Sequence, residues 1–143
     1  RLNNLLVPYS ANIHDDLGLE LALRLLVNSE ERRLTVLRVA VDGDADGNEL
    51  SYEFGRVMEQ LPIEVRSRIE TPIVEAAESI QAVIAASANA DLTIAGTSRE
   101  WGIERQTLGQ YTDELAVQCH SSLLIARCYV KVRSHLASVL VQR

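Results

Sequence analysis

Aromatic residues are scarce: four tyrosines, one tryptophan and one phenylalanine make up 4% of the 143 residues. A core must therefore be built from Leu, Ile, Val and Ala, a palette that suits a sheet covered by helices. Cysteines number two, Cys119 and Cys128. That is too few for a disulfide scaffold, and their spacing matches no zinc motif, so they read as reduced thiols of a cytosolic domain. No apolar run approaches the roughly 18 residues that span a bilayer, and no signal-peptide pattern is present. Positive charge is also short, with 14 Lys and Arg against 20 Asp and Glu and a net charge of −6. This balance argues against a nucleic-acid-binding surface across the domain. The chain begins at Arg1 without an initiator Met, as a processed chain or a domain cut from a longer protein would.

What is present is 47% hydrophobic and of single-domain length. Residues 5–9, LLVPY, form a short apolar run of the kind that makes a buried strand. Asn12 and Asp15 resemble a helix-capping pattern, with Asp16 adding charge to the first turn. Leu17, Leu21, Ala22, Leu25 and Leu26 then recur at helical spacing toward Asn28. Residues 34–41, LTVLRVAV, read as a strand buried on both faces. Tyr52, Gly55, Val57, Met58 and Leu61 suggest a second helix. Residues 63–69, IEVRSRI, alternate apolar and charged, the pattern of a half-exposed edge strand. Thr71-Pro72 reads as the start of a third helix with Ile73, Ala76, Ala77, Ile80, Val83 and Ile84 inward. Residues 91–95 make a fourth strand, 107–118 a fourth helix and 122–126 a fifth strand. This β-α alternation predicts a parallel sheet with helices on both faces. Ligands in such folds sit beyond the carboxyl ends of the strands, where strand order reverses.

The stretch DLTIAGTSREWGIERQTLGQ, residues 91–110, carries a more specific pattern. It resembles the signature of universal stress protein domains. An Asp-Leu strand leads to a first glycine, Gly96. Gly102 follows six residues on and Gly109 thirteen on. LLVPYSAN is similar to the family's first strand and loop, and CHSSLLIAR to its last strand. The resemblance covers the chain to about Arg127. It implies an adenine nucleotide alpha hydrolase-like α/β fold, a three-layer sandwich whose five-stranded parallel sheet runs in the order 3-2-1-4-5. It also implies a homodimer through the last strand, Ser122–Ala126, and in some members ATP or AMP held on the rim. Here that rim would comprise Tyr9, Ser10, Gly96, Thr97, Arg99, Gly102, Gly109 and Gln110. Universal stress domains also occur as cytosolic regions fused to membrane transporters or channels, and the start at Arg1 raises that context for this chain.

The sequence departs from the nucleotide-binding pattern at three places. Ser10 or its neighbour stands where such members have Asp, Arg99 replaces the second glycine, and Gln110 replaces the Ser or Thr after the last one. A phosphate cradle needs bare backbone N–H groups, which glycine exposes. Arg99 adds bulk, although its guanidinium could pair with phosphate. Thr97 and Ser98 either donate to a phosphate or solvate the turn. The expectation is a non-enzymatic regulatory domain with a degenerate nucleotide site. The alternative is an ATP-binding member with slow hydrolysis.

Asp42, Asp44, Asp46, Gly47 and Glu53 fit the spacing of an EF-hand calcium loop. A strand precedes them instead of a helix, and Leu50 stands where a ligand is usual. These departures favour a solvated acidic loop in which Asp46 caps a helix and Glu49 completes the capping box. His14-Asp15-Asp16 reads as helix-terminal electrostatics, since adjacent residues on a helix point apart. Cys119-His120 lacks an orienting acid and reads as a structural thiol. Trp101 either closes over a ligand or packs on a partner. Residues 128–143, with Lys131, Arg133 and Arg143, form a basic amphipathic segment placed outside the 1–127 domain. It docks on its own domain or its dimer mate, or lies on an anionic surface.

Overall fold

Leu5, Leu6 and Val7 lie on successive positions of the first strand and are 2% exposed or less, so this strand is buried on both faces. The computed structural model describes residues 2–10, 13–41, 52–97 and 110–127; for residues 13, 41, 52, 53 and 110 it describes the backbone alone. In chain order the elements are β1 (Asn4–Pro8), α1 (Ile13–Val27), β2 (Arg33–Val41), α2 (Tyr52–Gln60), α3 (Ile63–Arg66), β3 (Ile69–Glu70), β4 (Ile73–Ala76), α4 (Ser79–Ser87), β5 (Leu92–Gly96), α5 (Gln110–Gln118) and β6 (Ser122–Ala126). All pairings among the described strands are parallel.

The sheet order is β3-β2-β1-β5-β6, with β4 also paired to β2. β3 lies along Leu34 and Thr35, and β4 along Arg38 to Val41. They act as two pieces of one interrupted edge strand. Counted so, the order is the expected 3-2-1-4-5. Two apolar layers enclose the sheet. On one face Leu19, Leu23 and Leu26 of α1 and Phe54 and Val57 of α2 pack on Leu5, Val7, Val36 and Ile94. On the other, Ile80, Val83 and Ile84 of α4 and Leu115 of α5 pack on Leu6, Leu37 and Ala95.

Three expectations are corrected. Residues 63–68 are not part of the edge strand, and only Ile69 of the expected run enters it, as the first residue of β3. Pro62, with φ fixed at −54°, opens a single helical turn whose Val65 and Arg66 N–H groups both donate to the Pro62 carbonyl. Only Val65 of that turn is buried, and Ile63 is 72% exposed. Thr71-Pro72 does not start a helix either. A residue before proline is driven to extended geometry, and β2 runs on to Val41 with edge groups to satisfy. The Arg38 N–H donates to the Pro72 carbonyl and β4 completes the pairing, so the helix begins only at Ser79. Finally, α1 is rotated about its axis. Leu17, Leu21 and Leu25 are half-buried, while Gly18, Leu19, Ala22, Leu23 and Leu26 are buried. A Cβ on Gly18 would lie 3.3 Å from Ile94 Cγ2, so the glycine lets α1 press closely on β5.

Candidate functional site

β1 and β5 are neighbours in the sheet, yet the helices that follow them cover opposite faces. The strand order reverses between them, and the crevice beyond their carboxyl ends is the default ligand position of such a sheet. Its described rim consists of Tyr9 and Ser10 after β1, the first turn of α1, Gly96 and Thr97 at the end of β5, the start of α5, and Arg127 after β6.

The donors at this rim converge on one carboxylate of the chain itself. The Ser10 N–H and the Ser10 hydroxyl each donate to Asp15 Oδ2 at 2.7 Å. The Gly96 N–H also bonds to Asp15. A Cβ added to Gly96 would stand 2.6 Å from Asp15 Oδ1, 2.6 Å from the His14 carbonyl carbon and 2.7 Å from the Asp15 nitrogen. Gly96 is thus required by the close approach of α1. Asp16 is equally engaged: the Tyr9 hydroxyl donates to its Oδ1 at 2.6 Å, and the Tyr9 ring packs against Phe54 at 6.0 Å.

Burial governs the electrostatics. Asp15 is 7% exposed, and its pKa is raised to about 6. Loss of hydration is the largest cause, and the nearby Asp16 charge adds to it. The hydrogen bonds from Ser10 and Gly96 oppose the rise without cancelling it. On α5, Tyr111 is held above its usual range by burial and then by the Asp15 charge. His14 is lowered by burial and then by the Arg127 charge.

Tyr9, Ser10, Gly96 and Thr97 are therefore brought together at the switch point. Tyr9 and Ser10 are occupied by Asp16 and Asp15. The Thr97 N–H donates to the Ala126 carbonyl at 3.0 Å, which extends the β5–β6 pairing. Its hydroxyl is buried and without a hydrogen-bond partner among the described residues, as is that of Thr112 in α5. Arg99, Gly102 and Gly109 lie outside the described residues, as do the side chain of Gln110 and Asp42, Asp44 and Asp46. Glu53 is described only as backbone in α2. No cluster of three or more His, Cys, Asp or Glu that could hold a metal occurs among the described residues. Trp101, Cys128 and the basic segment also fall outside them.

Asp15 and Asp16 stand in the first turn of α1, as read from the sequence, but they were not expected among the site residues, and they are buried, at 7% and 8% exposed. The available signal was a pair of carboxylates one turn before Gly18, the small residue that lets the start of α1 sink toward the sheet. Cys119 sits away from the crevice, before the amino end of β6, with its Sγ 3.4 Å from Ser121 Oγ. Burial pushes this thiol up, but hydrogen bonds involving Ser121, Ser87 and Thr93 outweigh it and leave it below its usual value.

No protein-family profile matches the chain, and no curated protein sequence does. Solved structures do. Universal stress protein UspA from Lactobacillus plantarum is 15% identical and superimposes with a TM-score of 0.61, over 89% of this chain and 99% of that one. A universal stress protein solved in complex with cAMP gives 15% identity and a TM-score of 0.58, covering 86% and 94% of the two chains. The hypothetical protein MJ0577 gives 14% identity and a TM-score of 0.65, covering 89% and 96%. The chain has the universal stress protein fold. The interrupted edge strand along β2 and the two helical layers are this chain's version of it. No described helix of this universal stress fold is long and apolar enough to cross a membrane.

Proposed function

We propose that this chain is a non-enzymatic regulatory domain of the universal stress class, with a degenerate nucleotide site at its switch-point crevice. The observation that carries this reading is the engagement of Ser10 and Gly96 by Asp15. Backbone N–H groups that would face a ligand phosphate already face an ionisable side chain. The replacements at Ser10, Arg99 and Gln110 point the same way. A protein of the same fold has been solved in complex with cAMP, which supports looking for a nucleotide ligand at all. Cys119 and His120 are adjacent in sequence and far from this crevice, so they add no catalytic pair to it.

The domain would act by contacts. Its β6 is the last strand of the sheet and exposes Leu124, which suits pairing with a second copy. A membrane transporter or channel, fused or associated, is the proposed regulated partner.

A second reading, an ATP- or AMP-binding domain with slow ATP hydrolysis, has one observation in its favour. The buried hydroxyls of Thr97 and Thr112 lack partners among the described residues and could serve a bound ligand. Melting curves with ATP, AMP and cyclic nucleotides separate the readings. The first predicts no saturable shift at millimolar ligand, and the second predicts one.

A further inference from the structure

Every element packed around Asp15 contributes to its setting. β1 leads to Ser10, whose N–H and hydroxyl both donate to it. β5 ends at Gly96, which donates a third hydrogen bond and has no side chain to keep Asp15 out. α1 supplies Asp16, a second negative charge, and His14, which faces Arg127 beyond β6. α5 supplies Tyr111, a neutral phenol that feels the Asp15 charge. Converging N–H groups at the carboxyl ends of neighbouring strands make an anion-binding concavity. Here the concavity holds an anion that belongs to the protein.

Resting on the degenerate-site reading above, we infer that Asp15 is the specificity-determining residue of the crevice, its carboxylate occupying the anion position and excluding phosphate. An incoming phosphate would meet a buried negative charge at close range, with Asp16 behind it. It would also have to displace hydrogen bonds that are already made. Two changes remove the first obstacle and weaken the second, since hydrogen bonds to a neutral acceptor are weaker than those to a carboxylate. Asp15→Asn keeps the size, removes the charge and offers an N–H donor. Protonation of Asp15 removes the charge without mutation, and its burial brings that protonation to about pH 6.

The test uses the 15N-labelled chain, with the amide resonances of Ser10 and Gly96 as readout. Sodium sulfate and ATP are the probes, and sulfate keeps its double charge across the pH range used. At about pH 7.5, where Asp15 is ionised, neither probe should move these two amides in the natural protein. In Asp15→Asn both should move them saturably, with an apparent Kd at least roughly tenfold lower, the size expected from removing one partly buried like charge. At about pH 5, where Asp15 is protonated, the natural protein should respond to sulfate as the variant does. A folded variant whose Ser10 and Gly96 amides stay still overturns the inference. If the variant does not fold, the pH comparison decides, and an unchanged sulfate response between the two pH values overturns it. ATP moving Ser10 and Gly96 in the natural protein at about pH 7.5 contradicts both this inference and the function reading. ATP binding that leaves those amides unmoved contradicts only the function reading, since the sulfate arm still reads Asp15 directly.

Discussion

Asp15 Oδ1 lies 2.6 Å from where a Cβ on Gly96 would stand. The glycine that opens the family-like loop therefore makes room for the start of α1. Two of the three nearest atoms belong to backbone and cannot swing aside, so Gly96→Ala must displace the helix. A cost of about 1–3 kcal/mol is expected, as for overpacking elsewhere. Gly55, in the middle of α2, has nothing within 4 Å of its would-be Cβ. Gly55→Ala should stabilise by roughly 0.5–1 kcal/mol through helix propensity. Urea denaturation of the two variants checks the contrast in sign.

The buried carboxylate gives stability a defined pH dependence. The pKa of Asp15 is raised from 3.8 to about 6 on folding. Between those values the folded chain holds a proton that the unfolded chain has lost. Stability therefore falls as pH rises through this window, and the full penalty, about 3 kcal/mol, is present above it. Asp15→Asn should remove this segment of the profile. The variant should melt higher than the natural protein near neutral pH, with the gap closing toward about pH 4. Parallel melting profiles would count against the buried charge.

Much of the fold was legible from local pattern, and the misses have identifiable causes. Residues 122–126 were assigned as the last strand and residues 34–41 as a doubly buried strand, and both stand, because continuous apolar runs have few other solutions. The alternation in residues 63–69 misled, because Pro62 turns the chain there and the true edge pieces flank Pro72. In the site, Gly96 was read as the first glycine of a phosphate cradle, whose bare backbone a ligand would approach. The partner was not legible. Periodicity gives the faces of α1 but not its rotation, which the Gly18–Ile94 contact sets and which turns Asp15 inward. Only the packed structure shows that residues about eighty positions apart share hydrogen bonds.

The edge of β6, beyond which no strand lies among the described residues, carries the proposed dimer. Leu124 there is 42% exposed, more than an isolated core strand would leave. Leu124→Arg should convert a dimer to a monomer in sedimentation experiments while melting within about 1 kcal/mol of the natural chain, as exposed positions do. Unchanged sedimentation of a natural dimer would place the interface elsewhere.

At the opposite end of the sheet, Ser87 is fully buried. Its hydroxyl donates to the Ile84 carbonyl at 2.6 Å and accepts from the His120 N–H at 3.0 Å, tying α4 to the entry of β6. Ser87→Ala leaves that N–H without its acceptor and should cost about 1–3 kcal/mol in chemical denaturation. The Ser10 and Gly96 amide resonances should not change, since this tie is remote from the crevice.

The central claim is that the crevice is closed to phosphate by the chain's own carboxylate. Calorimetric titration of ATP into the natural protein at neutral pH tests it most directly. No saturable heat is expected up to millimolar ATP. A one-site isotherm with a Kd of about 1–10 μM, some 7–8 kcal/mol of binding free energy, accompanied by movement of the Ser10 and Gly96 amide resonances, would contradict it.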